Sequence, residues 1–218
     1  MARTHEQREA LRRVPEGLWR RLRADPVRAP EHIALAAAEW HGPAAAAWLA
    51  SRRALYAYDG RELAHMAKRK HASLARFGGA ATGLGGVVTS IADVLTLAWI
   101  QSRLVFFVAA AFDFDPNDAM RPAELLVLQG VYQDVGGARQ ALDGAGATMI
   151  ETLATGSAKD RELLGSLMRY VGRYATRRAV RLVPLLASPY NAISNERETR
   201  RLADRAIAFY GGLPAAPV

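Results

Sequence analysis

Asp93 is the side chain with the most chemical potential in this sequence. From Phe77 to Phe112 the only charged residues are Asp93 and Arg103. An ionised carboxylate in such apolar surroundings has to be paired, hydrogen-bonded or protonated, since unpaired burial costs several kcal/mol. Thr89, Asp93 and Thr96 are spaced i, i+4, i+7, which makes one narrow polar stripe on an otherwise apolar helix. Asp93 and Arg103 lie about 280° apart around a helix and share no face, so each is expected to find its partner on another helix. For Asp93 the expected donors are Arg76 first and Arg103 second, or the late amides Asn191 and Asn195. Two roles suit such a site: a polar lock joining this segment to the C-terminal helix, or a pocket for a small ligand or ion.

Other chemistry fails on spacing. Asp113, Asp115, Asn117 and Glu124 match the oxygen positions of a calcium-binding helix–loop–helix. However, Asp118 stands where the loop needs glycine, and Pro116 and Pro122 stiffen the chain. A capped turn between helices is therefore expected there, and no metal. The glycines at 78–86 fit no phosphate loop, because Leu84 occupies the lysine position and Val88 the last glycine of G-x-G-x-x-G. His5-Glu6-Gln7-Arg8-Glu9 lacks the second histidine of a zinc protease, and no G-x-S-x-G occurs. Cysteine is absent, which excludes disulfides, thiolate metal sites and a thiol nucleophile. Neither catalytic residues nor a cofactor are expected.

Cations supply a second kind of chemistry. The net charge is +8, nearly all from arginine; the lysines are Lys68, Lys70 and Lys159. Eight arginines lie in residues 1–28. Lys68, Arg69 and Lys70 precede the apolar stretch, and Arg169, Arg173, Arg177 and Arg181 repeat every four residues further on. Stripes of this kind suit an anionic partner, such as an acidic membrane leaflet or a membrane protein complex. Nucleic acid ranks last, because the stripes carry no interleaved aromatics and no recognised motif.

The elements that position these groups are predicted to be helices. Alanine is abundant and β-branched residues do not cluster in alternating runs. With 218 residues, half of them hydrophobic, the chain suits one domain with an added arm. The expected division is a basic helical arm over 1–28, a helical domain over 29–210 and a tail over 211–218. The arm helix lies between Pro15 and Pro26. Two alanine-rich helices over 30–57 are separated at His41-Gly42-Pro43, with Trp40 and Trp48 packed inward. Helices are expected over Arg61–Arg76, over 87–112, and from Met120 to Tyr132. Gly136-Gly137 and Gly144 punctuate short helices to about Leu153. A helix runs from about Ala158 to Leu182, and another from Glu196 to about Tyr210. Gly79, Gly83 and Gly86, with Ala75 and Ser90, recur every three or four residues. They predict a face without bulk where another helix approaches closely. The fold class is all-α, a multi-helix globular domain built around a long apolar, glycine-rich helix hairpin. Residues 94–112 are long enough to span a bilayer, although Arg103 would cost roughly 2.5–3.5 kcal/mol at mid-membrane. Met1 to Arg13 contains no apolar signal core, which sets a cytoplasmic expectation.

Together these motifs resemble one family. His71 and Arg76-Phe77 lead into Gly79-Ala80-Ala81-Thr82-Gly83-Leu84-Gly85-Gly86. Asp93 follows, then Phe112-Asp113-Phe114-Asp115-Pro116, Glu124-Leu125-Leu126-Val127-Leu128, Pro184, Asn195 and Ala206-Ile207-Ala208-Phe209-Tyr210. Over roughly residues 60–210 the chain resembles the EcsC family, bacterial proteins whose namesake is associated with an ABC transporter. The family usually shows Tyr-Gly-Tyr-Asp or similar where this chain has Phe112-Asp113-Phe114-Asp115. The resemblance implies a mostly helical, membrane-associated protein and carries no catalytic roles. The functional expectation is a non-enzymatic interaction protein, peripheral to the cytoplasmic membrane face and acting on a membrane complex such as a transporter. The alternative is an enzyme or small-ligand binder with its site near Asp93.

Overall fold

The computed structural model describes residues 11, 13–55, 58–76, 87–152 and 189–212, with side chains for all of these except 87–93, 146–152 and 189–194. Among the described residues there are seven helices and no strand, an all-α fold. They are α1 (Glu16–Ala24), α2 (Ala29–Leu55), α3 (Gly60–Arg76), α4 (Val87–Ala111), α5 (Arg121–Leu128), α6 (Val135–Thr152) and α7 (Pro189–Gly212). The glycine-rich segment 77–86, with Gly79, Gly83 and Gly86, lies outside the described residues, as does the stripe of Arg169, Arg173, Arg177 and Arg181.

α4 is the axis of the fold. From Leu104 to Ala111 every residue is buried, a run of one all-round apolar helix that α2, α3 and α7 enclose. Each fully buried Leu or Phe in it is worth roughly 1.5–3 kcal/mol relative to exposure. Three contacts fix the directions of the surrounding helices. Gly60 meets Ala111 while Leu74 and Ala75 pack with Ile100, so α3 runs antiparallel to α4. Gln101 meets Thr199 while Gly211 meets Phe112, so α7 runs parallel to it. His41 stacks near Trp99 and Arg53 pairs with Asp113, so α2 also runs parallel to α4. α1 is tied to the same core by Leu18 and Leu22.

Several boundaries differ from the sequence expectation. The break at His41-Gly42-Pro43 does not occur, and α2 runs through Pro43 as one helix of 27 residues. Burial of one face against α4 and the turn after it outweighs the hydrogen bond that proline lacks. Trp40 is 59% exposed rather than packed inward, while Trp48 does reach Phe107, 5.1 Å between ring centroids. α5 stops at Leu128, not Tyr132. Gly130, with φ at 67°, lets its N–H bond Val127 and the Val131 N–H return to Leu126. Gly136 and Gly137 do not break α6. They form its first turn, with the Gly137 N–H donating to Asp134 Oδ1 at 2.8 Å. α7 starts seven residues before Glu196, at Pro189, a favoured first helical residue.

Candidate functional site

Two polar centres lie inside this apolar frame. The first is where α2 and α3 cross α4. His41 on α2 packs on Trp99 at 4.2 Å, and His71 on α3 packs edge-on to Phe107 at 5.1 Å. Both rings are buried, and burial is the main reason each stays neutral. The pKa of His41 is lowered to about 3, with Arg103 adding to the effect. That of His71 is lowered well below 6.5, with Lys70 the next cause after burial. His71 Nδ1 donates to the Ala67 carbonyl at 2.8 Å, which leaves Nε2 as the unprotonated acceptor. Among the described residues no hydrogen-bond partner meets Nε2 of either ring. The Phe107 ring carries a cation on its face from each side chain nearby, Lys70 and Arg103, both 4.9 Å from its centroid.

The second centre lies under the turn after α4. Asp113 takes a left-handed conformation that Asp tolerates, and its carboxylate pairs with Arg53. Asp115 Oδ1 accepts the Asn117 N–H at 2.9 Å, and Asp118 Oδ1 accepts the Met120 N–H at 2.7 Å. These oxygens close the turn on itself, and Glu124 is turned inward and not toward them. Its Oε2 accepts from Tyr210 Oη at 2.7 Å and from the Arg121 guanidinium. Phe114 packs 5.2 Å from Tyr210, and the Arg121 guanidinium lies over both rings. Burial pushes the Glu124 carboxyl up, partly offset by the Tyr210 and Arg121 hydrogen bonds. Burial, with the neighbouring Glu124 charge, pushes the Tyr210 phenol well above its usual value. Each charge is answered by a neighbour, so the cluster ties the turn and α5 to the end of α7.

Where their side chains are described, the residues marked by sequence meet the following neighbours. Arg76 is exposed and pairs with Glu196 at 3.8 Å, an α3–α7 link. Arg103 is half-buried against Phe107. Thr89 and Asp93 fall in the first two turns of α4, and Asn191 in the first turn of α7; their side chains lie outside the description. Asn195 is half-buried on α7, one turn before the buried Thr199. Of the α3 cations, Lys68 pairs with Asp204, Lys70 lies on Phe107, and Arg69 is exposed.

Sequence reasoning missed His41 as an interior group and missed the convergence on Glu124. The Arg121/Glu124 spacing of i, i+3 and the apolar run before Tyr210 were the available signals. What joins them is a contact 86 residues apart along the chain. Among the described residues no group of three or more His, Asp or Glu side chains is placed to hold a metal ion.

Neither a curated protein nor a solved structure matches this chain. A family model does match, over residues 46–211, a span that includes α3, α4, the Phe112–Pro116 turn, Glu124 and Tyr210. The span holds every residue of the second polar centre, and on this match the chain belongs to the EcsC protein family.

Proposed function

We propose that this is a non-enzymatic interaction protein, peripheral to the cytoplasmic face of the membrane, that acts on a membrane complex such as a transporter. One observation carries the reading. The stretch Val94–Ala111 is long and apolar enough to cross a bilayer, with mean hydropathy 1.7, yet 83% of it is buried inside the protein's own fold. With that helix committed to the core, attraction to a membrane falls to the surface, where a net charge of +8 favours anionic lipid.

The test is co-sedimentation with vesicles. Binding is expected to phosphatidylglycerol–phosphatidylcholine vesicles at low salt, with loss at high salt as the charges are screened. No binding to phosphatidylcholine alone is expected. A chain that leaves anionic vesicles untouched at low salt would overturn the proposal.

A further inference from the structure

Among the described residues, the outward side of α2 is apolar and uncovered. Trp40, Pro43, Ala47, Ala50, Ala54 and Leu55 are all exposed, with Trp40 at 59% and Leu55 at 66%. From Trp40 to Ala54 the spacing is three and four residues, and Leu55 follows directly; together they lie within an arc of about 140°, and the row is about 22 Å long. Ser51 adds a hydroxyl to the face and no charge. Over the same length, the other side of the helix supplies His41, Gly42 and Ala45 to the interior. α2 is therefore apolar on two sides, and only one of them serves the fold.

The charges beside this face point to its occupant. Arg21 Nη1 pairs with Glu39 Oε1 at 3.2 Å, which seats α1 beside Trp40. The α1 region carries Arg13 and Arg20 on its exposed side against Glu16. Three acidic groups nearby are paired with cations: Glu39 with Arg21, Asp113 with Arg53, and Asp118 with Arg121 at 4.0 Å; Asp59 and Asp115 accept backbone N–H groups.

We propose that the outer face of α2, from Trp40 to Leu55, with the arginines of α1 beside it, is the surface that docks on an anionic bilayer. The proposal rests on the membrane-peripheral reading above and names the face that performs it. Trp40 sits at the headgroup level, as amphipathic rings do. The alanines lie flat against the interface and supply little apolar energy, so the arginines set the lipid requirement. A second copy of the chain fits less well. The face offers roughly 200 Å² in projection, whereas a specific interface covers about 800 Å² per partner. Pairing would also bring like-charged α1 helices together.

Four full-length variants test this: Trp40→Phe, Ala47→Glu, the pair Arg13→Glu with Arg20→Glu, and Arg197→Glu on the exposed side of α7 as a surface control. Circular dichroism confirms that each folds. The probes are phosphatidylglycerol–phosphatidylcholine vesicles, with brominated lipid as a tryptophan quencher. Brominated vesicles are expected to quench the wild type, and Trp40→Phe is expected to lose most of that quenching. Ala47→Glu and the arginine pair are expected to weaken binding at least about tenfold, and Arg197→Glu to bind like wild type. If the wild type does not bind, both the face and the membrane reading fall. If it binds and the face variants bind equally, or only Arg197→Glu weakens it, the face is wrong and the membrane reading stands. If the lipid-free protein is a dimer that Ala47→Glu dissociates, a second copy occupies the face and the proposal is overturned.

Discussion

Glu124 shows how one buried carboxylate can organise distant parts of a chain. Its Oε2 takes both the Tyr210 hydroxyl and the Arg121 guanidinium, so removing either donor leaves a partly unsatisfied charge. Tyr210→Phe is expected to destabilise the protein by about 1–3 kcal/mol. A double-mutant cycle with Glu124→Gln should show coupling of about 0.5–3 kcal/mol, measured by urea denaturation, and purely additive effects would deny the cluster its role. The two interior histidines predict a pH dependence. In the unfolded chain a histidine takes up its proton near pH 6.5, while burial holds folded His41 neutral down to about pH 3. Between those values the unfolded state binds more protons, so stability is full above pH 6.5 and falls as the pH drops. His71, lowered for the same reason, adds to the slope. Each can contribute up to about 1.4 kcal/mol per pH unit. Glu124 acts in the opposite sense, its folded pKa being raised by burial, and it does so equally in the wild type and in a histidine variant. Below pH 6.5 the urea midpoint of the wild type should therefore fall more steeply with acid than that of His71→Gln. Equal slopes would mean that His71 is not held neutral by the fold.

Helix ends and close approaches separate glycines that matter from glycines that do not. A Cβ on Gly60 would lie 2.6 Å from the Ala111 carbonyl, a backbone atom at the end of α4 that cannot swing away. Gly60→Ala is therefore expected to cost about 1–3 kcal/mol by overpacking. Gly17 in α1 has nothing within 4 Å, and its replacement by alanine removes only backbone freedom from the unfolded chain. Gly17→Ala is expected to raise stability by up to about 1 kcal/mol. Thermal melts of the two variants should move in opposite directions. A lowered melting temperature in both would place a neighbour over α1 that the packing of Leu18 and Leu22 does not suggest.

In the whole molecule, the apolar and ionic parts carry different loads. α4 inside its ring of helices supplies the stability, and ion pairs such as Lys68–Asp204 and Arg76–Glu196 stitch α3 to α7 at the surface. Exposed pairs of that kind are worth about 0–1 kcal/mol each and are screened by salt. The melting temperature should therefore hardly change with salt, whereas vesicle binding should weaken steeply. A fold that melts several degrees lower in high salt would show that the ion pairs, not the core, hold it. The burial of Val94–Ala111 has a second consequence. Chain found on cell membranes should be released by an alkaline carbonate wash without detergent. Retention in the pellet would mean that α4 leaves its core for lipid.

The sequence by itself determined the class of structure and its most apolar element. Alanine richness and helical periodicity require no tertiary partner to be read, which is why α3, α4 and the turn at Asp113–Asp118 were legible nearly to the residue. Local signals for breaks misled where packing outweighed them. Pro43 and the Gly136-Gly137 pair look like stops, yet a buried face in one case and the Asp134 cap in the other keep the helices running. The polar interior was legible only in part. Asp93 and Arg103 are conspicuous because they interrupt an apolar run, while Glu124, Arg121 and Tyr210 are ordinary in their local sequence and meet only when α7 returns to the turn after α4. Which cations remain free is also a tertiary matter: Lys68, Arg69 and Lys70 are neighbours in sequence, but one is paired, one is exposed and one lies on an aromatic ring. Helix formation depends on residues three or four apart, so sequence reveals it. The partner of a buried charge and the face left uncovered depend on residues tens of positions away, and only the packed chain decides them.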